Sequence, residues 1–207
     1  QLDMIVKSGA LTGRAVVMDL KDHERGLVWI DGRFSQLLSP GLYALWNGER
    51  DVETSVADAR AVRFEHDDLK VIARSKGVAR VLDVCTVNHN HAGVLFIDGK
   101  YVDTLSPGLH AFWMDSADAR VVEIDMREAM VDVSGQEIMT SDKVSLRMNA
   151  VVTYRIVDAH TAVSATDDVR QTLYREAQLA LRAVVGAREL DVFLTEKDTV
   201  AEEIGQV

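Results

Sequence analysis

One 21-residue segment of this chain occurs twice. Gly26 to Trp46 reads GLVWIDGRFSQLLSPGLYALW, and Gly93 to Trp113, 67 residues later, reads GVLFIDGKYVDTLSPGLHAFW. A repeat constrains a fold more than composition does, because each copy must close the same kind of core. Ile-Asp-Gly, Leu-Ser-Pro-Gly-Leu, the alanine and the tryptophan keep their places, and both prolines, Pro40 and Pro107, are equivalent. At the same offset Leu2, Ile5, Lys7 and Ser8 match Leu69, Ile72, Arg74 and Ser75, and Asp58 and Arg60 match Asp125 and Arg127. Small insertions are expected near Gly13 and Gly77. A unit of about 60 residues is long for a solenoid repeat and suits a small subdomain.

The unit's local physics is readable. Asp31-Gly32 and Asp98-Gly99 lie between β-forming residues such as Val28, Trp29, Ile30 and Phe34. A two-residue loop between right-twisted strands needs φ > 0 at both positions, so each Asp-Gly predicts a type I′ hairpin. Pro40-Gly41 and Pro107-Gly108 predict type II turns, with glycine in the left-handed position. Leu42 to Trp46 then returns as a strand. Leu2 to Ser8 and His66 to Lys76 show helical spacing, so a short helix connects the units.

The second half changes character. Val121 to Asp125 and Met130 to Val133 read as strands, Ser134-Gly135 as a turn, and Gln136 to Thr140 as the return. Lys143 to Val157 alternates with period two: Val144, Leu146, Met148, Ala150, Val152, Tyr154 and Ile156 on one face, mostly polar residues on the other. That predicts a half-buried, antiparallel strand. Asp167-Asp168 opens a helix with acid at its positive end. Val169, Leu173, Ala177, Ala180, Leu181 and Val184 form its apolar stripe, and Gly186 can end it. Leu190 to Leu194 adds an apolar turn. Thr195-Glu196-Lys197-Asp198 is patterned as a capping box for a last helix.

Composition narrows the function classes. The 207 residues are 47% hydrophobic and 27% charged, an ordinary globular balance. A net charge of −10 repels phosphate backbones, so nucleic acid is not an expected partner. Bulk charge would not hold the chain on anionic lipid either. Cys85 is the single cysteine and stands in an apolar stretch, which predicts a buried small hydrophobe. No run approaches the roughly 18 apolar residues of a membrane span, and no signal peptide is visible. The chain starts and stops within structured patterns, as a soluble fragment of a longer protein would. The absent membrane segments therefore say nothing of the full-length protein.

Residues 127 to 204 resemble the stomatin/prohibitin/flotillin (SPFH, or band 7) domain, closest to the bacterial slipins. The resemblance lies in Gly135-Gln136-Glu137, in Thr140-x-Asp142-Lys143-Val144, in the valine-rich strand ending at Tyr154-Arg155, and in the helix Gln178 to Gly186 followed by Glu189-Leu190-Asp191. Leu105 to His110 fits the front of that domain, so the match covers residues 92 to 207. Residues 1 to 60 look like an additional, truncated copy of the front half, which a typical stomatin carries once. The expected fold class is therefore α+β: mainly antiparallel β subdomains with short helices, followed by an SPFH-type strand and C-terminal helices. The expected domains are 1–60, the extra front half, and 61–207, the SPFH domain, with a repeat unit at 69–127 and a strand-helix portion at 128–207.

The resemblance implies a non-catalytic oligomerisation module of a membrane-associated scaffold, in the full-length protein at the bacterial inner membrane. Its implied partners are itself, the membrane through segments outside this sequence, and a membrane protease or transporter. It supplies no catalytic, cofactor-binding or metal residue and no cofactor. The residues themselves agree: no phosphate loop, nucleophile elbow or zinc-helix motif is present. His89 and His91 could share a strand face and hold a metal, but exposed loop histidines are the expectation. His110, at the position of Tyr43, is expected to be structural. Asp22-His23-Glu24 reads as a polar turn, and Asp142-Lys143 as the turn that starts the long strand. Trp46 and Trp113 are expected to be core aromatics, against the alternative of interface anchors. A hydrolase would need Ser134, Ser141 or Ser145 as nucleophile with Lys143 as base, and no oxyanion-hole glycine cluster accompanies them. A third reading is a module that captures a partner strand at a sheet edge.

Overall fold

In the computed structural model, which describes residues 2–9 and 11–205, both Asp-Gly pairs turn tight hairpins. Asp31 and Gly32 take φ of 53° and 70°, and Asp98 and Gly99 take 50° and 75°, as a type I′ loop requires. The first hairpin joins β2 (Glu24–Ile30) to β3 (Arg33–Leu38), and the second joins β8 (His91–Ile97) to β9 (Lys100–Leu105). Each turn is pinned by the residue just before a third strand. Asp31 donates its N–H to the Asp51 carbonyl (2.8 Å) and accepts the Asp51 N–H on its side chain (3.1 Å); Asp98 and Asp118 do the same at 2.9 and 3.1 Å.

The strands around these hairpins follow one plan at both places. β1 (Ala15–Leu20) pairs antiparallel with β4 (Gly41–Trp46), while β5 (Val52–Asp58) pairs with β2, giving sheets β1-β4 and β3-β2-β5. Further on come β6 (Arg63–Phe64), β7 (Leu82–Val87), β10 (Gly108–Trp113) and β11 (Ala119–Asp125), in sheets β6-β10-β7 and β11-β8-β9. Ala15 faces Trp46 in one register and Leu82 faces Trp113 in the other, each 67 residues later. The offset is the same at the short helices α1 (Leu2–Lys7) and α2 (Leu69–Ala73), so no net insertion lies near Gly13 or Gly77.

Each plan closes its own small sandwich. Met18, Leu20, Val28 and Leu38 form one core; Val87, Leu95, Leu105 and Phe112 form the other. The sheets approach closely where the sequence has glycine: a Cβ on Gly26 would lie 2.9 Å from Leu20 Cδ1, and one on Gly93 2.7 Å from Val87 Cγ2. A larger core joins the two sandwiches. Leu27 and Ala59 meet Phe64, Ile72, Val78, Leu82, Ala111 and Trp113 there, with Trp29 and Ala57 at its edge. Burying an aliphatic or aromatic side chain of this size contributes roughly 1.5–3 kcal/mol relative to exposure. Phe64 and Trp113 meet edge to face at 4.9 Å, and Trp29 stacks on His66 at 5.2 Å. Arg25, buried beside this junction, donates to the Asp22 and Glu24 carbonyls and to Asp115, while Ser116 Oγ donates to the Ala59 carbonyl at 2.6 Å.

Two expectations fail here. The Pro-Gly segments are not type II turns: Gly41 and Gly108 have φ of 144° and 149° and already open β4 and β10, which pair with β1 and β7 rather than folding back on β3 and β9. The two tryptophans do not share a role. Trp113 is 1% exposed, but Trp46 is 64% exposed and is no core residue. Strands β1, β5 and β7, unassigned from sequence because each is short and finds its partner only across a long connection, take part in three of the eight strand pairings among the described residues.

The described residues divide into two compact units, 1–123 and 124–207. The second unit is a ribbon and helices. β12 (Glu128–Met139) pairs with β13 (Ser145–Arg155), and one ribbon face packs on α4 (Val169–Gly186) through Val131, Val133, Ile138, Ala177, Leu181 and Val185. α3 (Ala159–Ala165) and α4 begin at Asp158 and Asp168, whose side chains accept the Thr161 and Gln171 amides. This capping matches the acid expected at the start of α4. α5 (Leu190–Thr195) and α6 (Lys197–Gly205) complete the unit. The fold is α+β with antiparallel sheets and short helices, as expected.

Ser134-Gly135 is not a hairpin turn. β12 runs straight through it, and the register shifts between Val133, opposite Ala150, and Gln136, opposite Met148. The two residues form a β-bulge with Gly135 at φ 67°. Burial passes from Val131 and Val133 to Gln136, Ile138 and Thr140, a change of phase that one extra residue produces. α4 ends at Gly186 as expected, though without a left-handed cap, since the following Ala187 is right-handed. Nor is Thr195 a capping residue for α6, since its hydroxyl donates back to the Asp191 and Val192 carbonyls.

Candidate functional site

The most connected polar cluster of the second unit is the turn between β12 and β13. Thr140, fully buried, donates its hydroxyl to Asp142 and to the Val144 carbonyl (3.1 Å) and accepts the Val144 N–H (3.1 Å). This fold of the turn puts Lys143 at φ 67°, outside the strand. Asp142 Oδ1 also accepts the Leu190 amide at 3.3 Å, and the Ser141 N–H donates to the Arg188 carbonyl at 2.9 Å. Arg188 Nη2 in turn donates to both carboxylate oxygens of Glu203, at 2.6 and 2.7 Å. The Thr140 hydroxyl, then its neighbouring amides, hold the Asp142 carboxyl below the usual carboxylate range. The turn thus fastens the ribbon to the end of α4, a structural task.

The same geometry bears on the hydrolase arrangement. Lys143 stands in the turn and Ser145 on β13 opposite Met139, so they do not share a strand face; Ser134 is exposed in the bulge. His89 and Asn90 form the exposed β7–β8 turn, and His91 donates Nδ1–H to the His89 carbonyl at 3.0 Å. No group of three His, Cys, Asp or Glu placed to hold a metal occurs among the described residues. His110 is buried, bonded to the Ser106 carbonyl at 2.8 Å and to Arg63 at 3.3 Å. Asp22 and His23 sit in a turn closed by the Glu24 N–H to the Lys21 carbonyl at 2.9 Å. Burial pushes the half-buried Cys85 thiol up, away from thiolate reactivity.

What remains open is the ribbon's other face and one edge. Met130 and Val151 are 66% and 63% exposed there, and Met139 is exposed nearby. Cross-strand pairs set acids on β12 against bases on β13: Glu128 opposite Arg155 and Glu137 opposite Arg147. Among the described residues β13 pairs only with β12, so its outer edge carries unused backbone hydrogen-bonding groups. Beside that edge runs a groove of about 360 Å³ floored by small residues, including Ala150, Ala177, Ala180 and Ala201. Sequence reasoning found the strand but not the groove, because the groove needs α4 and α6 in place.

The model of the family described as SPFH domain / Band 7 family matches residues 85–206. The chain belongs to that family. The match begins in β7 and runs through the ribbon and its helices, so the SPFH domain takes in the groove and the Thr140 turn. Similar proteins include an uncharacterized protein of Archaeoglobus fulgidus, 36% identical over 121 residues, which cover 58% of this chain and 48% of that one. A stomatin homolog of Pyrococcus horikoshii is 32% identical over 121 residues, 58% of this chain and 45% of its own. Stomatin-like protein 3 of Mus musculus is 36% identical over 83 residues, 40% of this chain and 29% of its own. The chain spans about half the length of the first of these relatives. SPFH domains of stomatin-like proteins are generally membrane-associated, oligomerising, non-enzymatic scaffolds. No helix among the described residues is long and apolar enough to cross a membrane.

Proposed function

We propose that the chain is the oligomerisation module of a bacterial, slipin-like membrane scaffold, and that its copies associate edge to edge through β13. The observation that carries this is the unpaired β13 edge beside an apolar groove, with Met130 and Val151 exposed on the adjoining face. The occupant is a second copy. A ribbon with an acidic strand and a basic strand offers Glu128 and Glu137 of one copy to Arg147 and Arg155 of the next. In this reading residues 1–60 are an added copy of the front half, supported by the identical strand registers 67 residues apart and by a family match that starts only at residue 85. The assembled scaffold organises membrane proteins or lipids, with a membrane protease or transporter as client.

Light scattering across a concentration series tests it. The chain is expected to self-associate weakly, and the full-length protein strongly. Val151→Lys, which puts a charge on the exposed face without touching the α4 core, should abolish association. A full-length protein that stays monomeric at high concentration would falsify the reading.

A second reading rests on a different place. A cleft of about 510 Å³, lined by Leu27, Val56, Ala57, Phe64 and Trp113, runs along β5, an edge strand with Val56 exposed. A partner's extended segment could add there. If so, Val56→Lys should lower client recovery from solubilised membranes, and unchanged recovery would count against it.

A further inference from the structure

The junction inside the first unit is a socket with a cover. The socket is Ile72 on α2, Val78, Leu82 on β7, and Ala111 and Trp113 on β10. The cover is the outer face of the β2–β3–β5 sheet, with Leu27, Ala57 and the adjacent Ala59. Sixty-seven residues earlier stand Ile5 on α1, Leu11, Ala15 on β1, and Ala44 and Trp46 on β4, in the same strand register. Their burial differs throughout. Ile72 is 0% and Trp113 1% exposed, whereas Ile5 is 45% and Trp46 64% exposed, and Val17 is open beside them. An indole this exposed among aliphatic neighbours marks a docking face.

We propose that this face seats a third antiparallel sheet of the β2–β3–β5 kind, carried on the full-length polypeptide ahead of α1 and presenting small and aliphatic residues as Leu27, Ala57 and Ala59 do. The inference rests on reading residues 1–60 as an added module. Connectivity chooses the occupant. At the closed junction the covering sheet immediately precedes the socket's helix, with β5 ending at Asp58 and α2 starting at Leu69. A second copy of the chain is a poor cover, because its own β2–β3–β5 sheet is already seated on its own socket. Each sheet would then close the next socket.

Acrylamide quenching of Trp46, taken as the difference between wild type and Trp46→Phe, tests this in the 207-residue chain and in the full-length protein at equal dilute concentration. The expected result is a readily quenched Trp46 in the shorter chain and a several-fold lower quenching constant in the full-length protein. Equal quenching in both overturns the proposal. So does protection that appears in the 207-residue chain only as its concentration rises, which would make a second copy the cover. Ala57→Glu in the Trp46→Phe background separates the two readings. It should raise the combined quenching of Trp29 and Trp113, the two tryptophans left, by opening the closed junction. If it does not, the equivalence of the two sockets fails; if it does while Trp46 stays open in the full-length protein, only the third sheet fails.

Discussion

Gly135 donates its backbone N–H to Asn149 Oδ1 at 2.7 Å, across the place where the β12–β13 ladder changes register. Gly135 has φ of 67°, while an added Cβ would meet nothing nearer than Arg147 Nη2 at 3.7 Å. Gly135→Ala should therefore cost the backbone term alone, about 1–2 kcal/mol, and Asn149→Ala about 1 kcal/mol for the lost hydrogen bond. Urea denaturation followed by circular dichroism measures both. A neutral Gly135→Ala would mean that the bulge can flatten, which would turn Gln136 and Ile138 to the wrong face.

Gly93 is a steric requirement instead. Its φ is ordinary, but a Cβ there would lie 2.7 Å from Val87 Cγ2 and 2.9 Å from Val121 Cγ1. Gly93→Ala should destabilise by about 1–3 kcal/mol through overpacking. Adding Val87→Ala returns the room, so the double variant should cost less than the sum of the singles. Strict additivity would show that the two side chains do not compete.

Thr140→Val keeps the shape of a buried side chain and deletes the hydroxyl that organises its turn. The expected loss is about 1–3 kcal/mol, since the Val144 amide loses one partner and the Asp142 carboxylate another. The Asp142 carboxyl, held low chiefly by that hydroxyl, should titrate closer to the ordinary range in the variant. NMR titration reads this directly, and an unmoved Asp142 would assign its shift to the Leu190 amide.

Asn47 Oδ1 is buried without a hydrogen-bond partner, and the equivalent position, 114, is methionine. Asn47→Met removes an unsatisfied acceptor, so it should stabilise by about 1 kcal/mol and raise the melting temperature by roughly 2–4 °C for a chain of this size. A lower melting temperature would mean that the carbonyl is satisfied by solvent.

Asp58 accepts the Arg60 guanidinium and backbone amide, which lower its pKa from 3.8 to about 2. Because the folded value is lowered, the pair's stabilisation is complete above pH 3.8 and disappears as pH falls from there through about 2. Both groups are exposed, so the effect belongs in a titration curve rather than a melting curve. Arg60→Gln should return the Asp58 midpoint toward 3.8, and an unchanged midpoint would refute the pairing.

How far the fold could be read depended on the range of the interaction involved. Asp31-Gly32 and Asp98-Gly99 were readable because a type I′ loop is a property of two residues. The β13 alternation and the Asp168 cap were readable for the same reason. The bulge left a trace, in the slip from Val131 and Val133 to Gln136 and Ile138, yet glycine after serine is equally the mark of a turn. Distinguishing the two needs the partner strand, because only the opposing Asn149 shows that two residues face one.

The two tryptophans mark the limit. The sequence alone determined that Trp46 and Trp113 end equivalent strands, with the same Asp-Gly and Pro-Gly pairs before them. Only the tertiary structure decided that Trp113 is core and Trp46 surface. The equivalence of the strands follows from turn residues and side-chain alternation, which each copy carries in its own residues. Burial follows from what another part of the chain lays over that strand, and the β2–β3–β5 sheet covers one socket and not the other.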